Sequence, residues 1–422
     1  MIRFLTRLAQ IAFVVILAAC GSSSNNSSNA SLRLVNATSA AALTVNLNGT
    51  AQFSNVPALS ASGYASVGPG TYTITVTSTT GSLASSTQTF GVASAQTYSL
   101  LAYDRDGAIF TAFVTENETA PPSGFGVLGL GNLSPDSGAL DVYVVAPGAS
   151  IIGLSPTFSN VQNGAATVNT TLAAGSFDII ATATGSPTDV RFMASSVAVG
   201  SGQIESLGLT STPGGALVNG VFLIQAGAVR FAPATNARVR LVSALPTSGS
   251  SQVAATVGGT ALASVFSPNP GRYTLVPGGT TSYSISVSGT AATGLPAATF
   301  AVGGDFTVLV YGAAATPAVS VFTDNNQAPL SGEVNLRLVN AGVNISGGLT
   351  LYDNGLQVAS SVAYGAASPY FGVGVASNTT FLLIQPGMSG NATAESLPTP
   401  GAIYSVFSMA DTPLVPFLIR DR

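Results

Sequence analysis

The single cysteine of the chain, Cys20, is the residue whose position most directly indicates a chemical reaction. It follows the small and apolar residues 17–19 at the end of an apolar segment, residues 11–19, and Arg3 and Arg7 precede that segment. A basic start, a short apolar core and small residues before a cleavage point are typical of a secretory signal peptide. A thiol at this point is a nucleophile that can accept a lipid. The apolar run is about half the roughly 20 residues that a membrane-spanning helix needs, so cleavage and acylation at Cys20 are predicted rather than a permanent span.

The sequence around Cys20 resembles the bacterial lipobox, in which the chain is cut directly before a lipidated cysteine. The resemblance implies a lipoprotein signal peptide over residues 1–19 and stable membrane anchoring of Cys20 by acyl chains such as palmitate. Gly21, rather than aspartate, follows the cysteine, which favours the outer membrane, facing either the periplasm or the surface. An ordinary signal peptide that ends near a cysteine is the alternative. Residues 20–30 are rich in Ser and Asn and predict a flexible tether.

Carboxylates are the other side chains that could do chemistry, because the chain has no histidine and no lysine. That composition excludes a Ser-His-Asp triad, a Cys-His pair and a His-based zinc site. Asp104 and Asp106, with Glu116 and Glu118, could offer oxygen ligands to Ca²⁺. The alternative is a hairpin in which residues 106–107 make the tight turn and Arg105 pairs with an acid. The spacing of a twelve-residue calcium loop is absent, so no metal ligand is predicted.

The acids also fail to single out a catalytic pair. A two-carboxylate glycosidase needs acids about 5 to 9 Å apart in one cleft, and 16 acids spread over the chain give no reason to choose two of them. No catalytic residue and no cofactor is therefore predicted. If the protein works by binding, replacement by Asn of any acid near a turn or a unit end should leave the fold and the role intact. These acids are Asp104, Asp106, Asp136, Asp141, Asp324 and Asp353.

Two further patterns have a functional and a plainer interpretation. Residues 124–129 match Gly-x-Gly-x-x-Gly by letter, but they follow prolines and lead into a strand, so we interpret them as linker glycines rather than a dinucleotide site. Tyr64, Tyr273 and Tyr370 stand at matching positions of three repeats. They could form a row for stacking on carbohydrate, although strand alternation favours tyrosines that line a core or an edge.

Charge and composition limit the partners. The formal net charge is −4, and it becomes more negative when Arg3 and Arg7 leave with the signal peptide. No basic patch can neutralise phosphates, so a nucleic-acid partner is not predicted. Only 7% of the residues are charged and no cysteine pair is available, so the fold must depend on its apolar cores.

Internal repetition and a period of two indicate the architecture. Leu-Arg-Leu-Val-Asn-Ala occurs at residues 32–37 and 336–341, with a near copy at 239–244 and a weaker one at 128–133. Between these sites apolar residues alternate with Thr or Ser, as in residues 71–77, and turn signals recur every eight to twelve residues. The pattern predicts an all-β chain of four tandem, immunoglobulin-like antiparallel β-sandwich modules with little helix. The predicted units are 31–119, 124–232, 236–328 and 333–422, each able to fold alone unless the units complete their cores in pairs.

The unit plan resembles the bacterial domain-of-unknown-function family 4397. The residues that carry the resemblance are the Arg-Leu-Val-Asn-Ala strand, the Leu-Tyr-Asp-Asn-Gly strand and turn at 351–355, the Tyr-x-x-Val-Pro-Gly turn at 273–278, and the closing strand at 306–311. The second unit departs from the plan, with a glycine-rich first strand and a longer loop around 146–159. The resemblance implies the fold and an envelope location, and it carries no catalytic residue.

Two functions remain open from the sequence. The first is a lipid-anchored protein of the bacterial cell envelope whose modules bind a glycan or protein partner, or play a structural role, without catalysis. The alternative is an envelope enzyme that acts on polysaccharide through carboxylates, or an accessory subunit of one. Acids that converge in one cleft would favour the second function, and acids dispersed on turns would favour the first.

Overall fold

The computed structural model describes residues 28–164, 169–246, 251–343, 345, 347–375, 379–387, 392–395, 399–410 and 412–422. The predicted signal peptide, Cys20 and most of the predicted tether lie outside these residues. Within the described part, the regular elements are β-strands arranged in eight sheets. None of the described segments is a helix long and apolar enough to cross a membrane. The prediction of an all-β protein made of sandwich modules is confirmed.

The first sandwich encloses one apolar cluster between two sheets. Its strands are β1 (Ala30–Asn36), β2 (Leu43–Leu47), β3 (Thr50–Val56), β4 (Ser60–Ala61), β5 (Ala65–Val67), β6 (Gly70–Ser78), β7 (Ser86–Val92), β8 (Thr97–Arg105) and β9 (Ala108–Thr115). Strands β1, β4, β5, β8 and β9 form one sheet, and β2, β3, β6 and β7 form the other. In β6, Ile74 and Val76 are buried while Thr73 is exposed, as the alternation of apolar and hydroxyl residues predicts.

The second sandwich has the same two-sheet plan and its own apolar cluster. Its strands are β10 (Phe125–Asn132), β11 (Leu140–Val145), β12 (Phe158–Val161), β13 (Thr170–Ala173), β14 (Gly175–Ala183), β15 (Ser186–Val199), β16 (Ile204–Ser211), β17 (Val218–Ile224) and β18 (Val229–Ala232). The sheets run β13-β10-β16-β17-β18 and β12-β11-β14-β15. Residues 146–157 join β11 to β12, where the first sandwich has only the turn of Asn48 and Gly49.

The third sandwich is formed by β19 (Asn236–Ala244), β20 (Gln252–Val257), β21 (Thr260–Ala261), β22 (Val265–Phe266), β23 (Asn269–Pro270), β24 (Thr274–Pro277), β25 (Tyr283–Val287), β26 (Thr290–Ala291), β27 (Asp305–Ala313) and β28 (Thr316–Asp324). The fourth is formed by β29 (Glu333–Gly342), β30 (Leu349–Asp353), β31 (Leu356–Val362), β32 (Ala366–Ala367), β33 (Phe371–Gly374), β34 (Thr379–Ile384), β35 (Ala392–Glu395), β36 (Ile403–Ala410) and β37 (Thr412–Arg420). Each encloses a buried apolar cluster between two sheets.

Among the described strands, each sandwich contains one parallel strand pair. The first strand of each sandwich runs parallel to a later long strand, as β1 with β8, β10 with β16, β19 with β27, and β29 with β36. The other strand pairs are antiparallel. The sequence predicted antiparallel sheets, and the difference arises because the chain leaves the first sheet to build the second and then returns in its original direction.

The first strand gives each sandwich a direction. We call the end where it begins the entry end and the opposite end the far end. In the first sandwich the entry end holds the start of β1, which lies opposite Val67 and Thr97, and the end of β9 at Thr115. In the second sandwich it holds Phe125, the start of β16 and the end of β17.

The first two sandwiches lie side by side with their entry ends together. Val35 and Leu101 of the first share a buried cluster with Val221 and Leu223 of the second. Glu116, at the first entry end, accepts a hydrogen bond from the turn that follows β17 at the second. At the far ends, Arg105 of the first sandwich pairs with Asp136 of the second.

The third and fourth sandwiches pair in the same way. Val242 and Leu309 of the third sandwich share a buried cluster with Val339 and Phe407 of the fourth. Towards their far ends, Ser320 of the third donates a hydrogen bond to a carbonyl oxygen of the fourth.

The two pairs meet end to end. Asp136, at the far end of the second sandwich, accepts a hydrogen bond from the amide of Ala328, between the third and fourth sandwiches. Gly214, at the same far end, donates to the carbonyl of Gly303 at the entry end of the third. Nine-residue strands span about 30 Å, so the stacked pairs reach roughly 60 Å from the entry end of the first pair.

Candidate functional site

A charged cluster is buried on the outer face of the first sheet. Arg33 lies on β1, and its Nε donates to Ser99 Oγ at 2.6 Å. Its Nη2 lies 3.0 Å from Glu116 Oε1, and both side chains are only 3% exposed. Tyr64 donates to the other carboxylate oxygen of Glu116 at 2.7 Å, and the Arg33 guanidinium lies 4.8 Å from the centre of its ring. We call this set of arginine, hydroxyl, acid and tyrosine an arginine cluster.

Strand register places the same four residue types at matching positions of the third and fourth sandwiches. In each, the hydroxyl residue lies opposite the arginine in the parallel pairing, and the acid is the last residue of the next strand or directly follows it. The members are Arg240, Thr307, Asp324 and Tyr273 in the third sandwich, and Arg337, Ser405, Asp421 and Tyr370 in the fourth. The tyrosine rings lie beneath the guanidinium groups, at 4.9 Å and 4.7 Å.

The third and fourth sandwiches exchange their acids. Arg337 of the fourth reaches Asp324 of the third at 2.5 Å, and Arg240 of the third reaches Asp421 of the fourth at 2.6 Å. Arg240 and Arg337 are 2% and 1% exposed. Each sandwich therefore supplies a counter-ion to the other across an interface in which the charged side chains are buried.

The second sandwich replaces the whole cluster by uncharged residues. Gly129 stands where the arginine would be, with Asn169, Ser206 and Gln225 at the positions of the tyrosine, hydroxyl and acid. Arg33 of the first sandwich instead donates to the carbonyls of Gly227, at 2.5 Å, and Ile224, at 3.2 Å. Loss of the arginine together with its acid leaves no unpaired charge, which would be costly to bury.

Burial and the neighbouring charges shift the pKa values of the tyrosines and of Asp324. Burial raises the pKa of the Tyr64 hydroxyl, and its hydrogen bond to Glu116 raises it further. Burial also raises the pKa of Tyr273 well above its usual value. Burial would raise the pKa of Asp324, but Arg337 and Arg240 more than offset it, so the net shift is downwards. Asp324 therefore stays ionised and the Tyr64 and Tyr273 hydroxyls stay protonated at neutral pH, so none of these three groups is poised to accept a proton there.

A second charged group joins the two pairs of sandwiches. Asp136 is fully buried and accepts two hydrogen bonds from Arg105, both at 2.8 Å, and one from Ser211. Nearby contacts link Arg238 of the third sandwich to Asp189 of the second, at 3.2 Å, and to Asp305 of its own. From the sequence, Asp136 was predicted to lie near a turn. In the structure it is buried and bonds to the first sandwich through Arg105 and to the second pair through Ala328.

The structure separates the carboxylates that were considered for calcium. Asp106 and Gly107 have positive φ values of 49° and 73° and form the tight turn between β8 and β9, at the far end. Glu116 lies at the entry end, one eight-residue strand away, or roughly 25 Å. The calcium grouping is therefore wrong, and the hairpin interpretation is correct, with Arg105 paired to Asp136 of the next sandwich. In the described part of the chain, no three His, Cys, Asp or Glu side chains group so as to hold a metal ion.

The remaining acids named from the sequence also have local roles. Asp104 accepts hydrogen bonds from the amide and hydroxyl of Ser39. Asp141 accepts from the amides of Asn160 and Gly185. Asp353 is buried, and one of its carboxylate oxygens has no hydrogen-bond partner. These acids do not converge in one cleft.

The structure also shows where the glycines of residues 124–129 and the three tyrosines lie. Residues 125–129 of the Gly-x-Gly-x-x-Gly stretch lie in strand β10, and no helix follows, so a phosphate-binding turn is absent there. The interpretation as linker glycines is wrong, because Gly126 and Gly129 are strand residues. Tyr64, Tyr273 and Tyr370 lie against arginines rather than in a row open to carbohydrate. Sequence reasoning missed those arginines as functional residues. The signal was present, since an arginine recurs at the same place within three otherwise apolar strands.

An open groove lies on the fourth sandwich. It has a volume of about 480 Å³ and is lined by residues 358–363 and 366–371. Strand β31 forms one wall and β32 and β33 form the other, and both walls are edges of their sheets. Phe371 is 41% exposed beside it, and Ser360, Ser361 and Ser368 add hydroxyl groups. The volume is in the range of ligand pockets, and edge strands offer unpaired backbone groups to an extended chain.

Comparisons with known proteins address the fold. A family model described as Domain of unknown function (DUF4397) matches residues 30–143 and 237–346, which is more than half of the chain. No curated protein matches the sequence. The solved structure titled "The Bacillus anthracis TIE protein" is 12% identical, with 86% of this chain and 65% of that chain covered and a TM-score of 0.15. This chain thus spans less than two thirds of that protein, and at this TM-score the likeness carries no argument.

Proposed function

This chain belongs to the DUF4397 family, and we propose that it is a lipid-anchored protein of the bacterial outer membrane that binds a partner and does not catalyse a reaction. The lipid is attached to Cys20 after removal of residues 1–19, and residues 20–30 tether the folded part. The four sandwiches, which we take as repeats of one unit, act together as a rigid support. The partner is a protein or a glycan of the envelope.

The end-to-end arrangement of the two pairs carries this proposal. The described chain begins at the entry end of the first pair, so a lipid anchor would hold that end to the membrane. The groove lies in the second pair, which stands beyond the length of one sandwich, or about 30 Å, from the entry end. The arrangement would hold a binding surface clear of the lipid.

The state of the carboxylates supports binding over catalysis. Acids that converge in a cleft would favour an enzyme, and acids dispersed on turns would favour a binding protein. Glu116, Asp324 and Asp421 do neither, since they are buried against arginines at interfaces between sandwiches. An acid in that state is engaged by its arginine and shielded from a substrate. No contact of the described residues favours the alternative of a polysaccharide-acting enzyme.

Anchoring is tested by metabolic labelling with a palmitate analogue. The wild-type chain should incorporate the label, and Cys20→Ser should abolish incorporation and leave the precursor uncleaved. Equal labelling of the two chains would reject the lipid site.

Binding is tested by cross-linking and pull-down of the lipidated protein from cells. Phe371→Asp places a charge beside the groove and should remove the captured partner. Phe266→Asp is the matched control, because Phe266 is 53% exposed but lies outside the groove. Capture that survives Phe371→Asp but not Phe266→Asp would place the binding surface elsewhere.

A further inference from the structure

We infer that the entry end of the first pair rests on the lipid bilayer, with Ile152 and Leu154 inserted at the boundary between headgroups and acyl chains. This inference rests on the proposed lipid anchor and adds a second, direct membrane contact. The membrane-contacting segment is the loop 146–157 of the second sandwich, which we call the apolar loop.

The apolar loop exposes large aliphatic side chains on a fixed backbone. Ile152 is 61% exposed and Leu154 is 50% exposed. Between them and the sheet, Ile151 is buried against Tyr143 and Ile180. The amide of Gly148 donates to Asp178 at 2.8 Å, which fixes the start of the loop. The loop therefore holds its two exposed side chains outwards rather than folding them into the core.

The apolar loop lies at the end where the chain enters the fold. Strand β11 ends opposite Asp178, close to the start of β14 at Gly175, which marks the entry end of the second sandwich. The entry ends of the first and second sandwiches lie side by side. Cys20 and Ser28, the first described residue, are eight Cα–Cα steps apart, which reach at most about 28 Å. An acylated Cys20 would thus keep this end within a short distance of the bilayer.

The charge pattern suits contact with lipid. Residues 142–177 contain no charged residue, and neither do residues 34–103. Insertion of the apolar loop would therefore remove no charge from water, which would otherwise oppose it. Phe125, 44% exposed at the same entry end, adds a third apolar side chain. The apolar loop contains no basic residue to attract anionic lipid, and Arg230 near the same end is paired with Glu205, so the contact depends on apolar burial.

The bilayer fits this end better than a protein partner. The exposed aliphatic tips project from a loop, whereas the groove with edge strands lies in the other pair of sandwiches. Projecting side chains need a surface that deforms around them, and their burial adds to the membrane affinity that the acyl chains on Cys20 provide.

The test uses fluorescence of the lipidated full chain reconstituted in vesicles of phosphatidylethanolamine and phosphatidylglycerol. Ile152→Cys provides a unique free thiol, since the thioether blocks Cys20, and it is labelled with nitrobenzoxadiazole. Phe266→Cys, in the third sandwich, is the matched control. Both sites are exposed, so neither change disturbs the core.

Flotation of the vesicles first reports whether the protein is anchored. We expect the protein to float, the label at position 152 to lose fluorescence when nitroxide lipids are added, and the label at 266 to keep it. Flotation without quenching at 152 would overturn the membrane contact and leave the anchor intact. Quenching at both positions would show a molecule lying flat and overturn the upright contact. Absence of flotation would reject the anchor and the contact together.

Discussion

The arginine clusters show how a chain with few charges can bury several of them. Arg240 and Arg337 are held by carboxylates, by hydroxyl groups and by tyrosine rings, so each guanidinium loses water but keeps its partners. A buried ion pair often adds little net stability, yet removal of one partner is expensive because the other charge stays buried. These clusters therefore specify which sandwich pairs with which, rather than adding much net stability.

Asp324 is the residue where this asymmetry should be largest. It is fully buried between Arg337 and Arg240, so Asp324→Asn should lower the free energy of unfolding by about 3 to 5 kcal/mol. The sequence alone predicted that this variant would keep its fold, and its burial changes that expectation. Because the folded-state pKa of Asp324 is lowered, its contribution is present above the ordinary pKa and is lost as the pH falls through the folded value. Urea denaturation at pH 7 measures the loss.

The control for Asp324 is Asp106→Asn. Asp106 lies in an exposed turn with φ near 49°, a conformation that Asn adopts readily. The free energy of unfolding of the Asp106→Asn variant should stay within about 0.5 kcal/mol of that of the wild type. An equal loss in both variants would show that the buried exchange has no special role.

Replacement of Asp353 by Asn should stabilise the protein at neutral pH, the opposite of the effect at Asp324. Burial raises the pKa of its carboxyl, and one of its oxygens has no hydrogen-bond partner. Because the pKa of Asp353 is higher in the folded state than in the unfolded state, ionisation of its carboxyl destabilises the fold. Its contribution to stability is therefore largest at a pH below the unfolded-state pKa and is lost as the pH rises through the folded-state pKa. Asp353→Asn should raise the urea midpoint at pH 7 and have little effect at pH 3. A lower midpoint at pH 7 would mean that the charge has a favourable partner.

At the scale of elements, the strands were predictable wherever one face is wet. The alternation of Thr and Ser with apolar residues in β6 predicts a strand with one buried face. The Asn-Gly pairs predict tight turns, and Asn48 and Asn354 both have the positive φ that such turns require. The pairing of sandwiches was harder to predict because it depends on outer faces. The signal was the burial of β1 and β8 on both faces, through near-continuous apolar runs such as that around Leu100 and Leu101. One sequence does not show what covers the second face.

Close approach of two strands leaves no room for a side chain at Gly348. A Cβ at Gly348, just before β30, would collide with the backbone of Ser361 in β31. Backbone cannot move as a side chain can, so Gly348→Ala should destabilise the protein by about 1 to 3 kcal/mol. Gly374→Ala is the control in the same sandwich, since a Cβ at Gly374 would meet no neighbouring atom within 4 Å and its φ is not positive. Thermal denaturation should separate the two variants, and equal midpoints would refute the collision.

At the scale of the molecule, we expect the folding unit to be a pair of sandwiches rather than one. The sequence left open whether residues 333–422 fold alone. In the structure, Arg337 takes its counter-ion from Asp324, and Phe407 is buried against the third sandwich. A separated fourth sandwich would expose an apolar face and leave a charge without its partner.

The fragments 236–422 and 333–422 test this directly. The longer fragment should be a monomer with one cooperative transition. The shorter one should form a homodimer, because Asp421 occupies the position of Asp324 and can meet Arg337 of a second copy. Analytical ultracentrifugation distinguishes the two states. A stable monomeric 333–422 would show that each sandwich is independent.

The parallel pairing of β1 has a mechanical consequence. Residues 31–36 are bonded on one side to residues 97–102 and on the other to β4 and β5. A pull on the chain at residue 28 acts along β1, because the strand begins at the end from which the pull comes. The bonds of both ladders are then loaded in shear and must break together, whereas a pull across the strand would open them one at a time. The first strand is thus attached in the orientation that best resists being drawn out of the fold under tension.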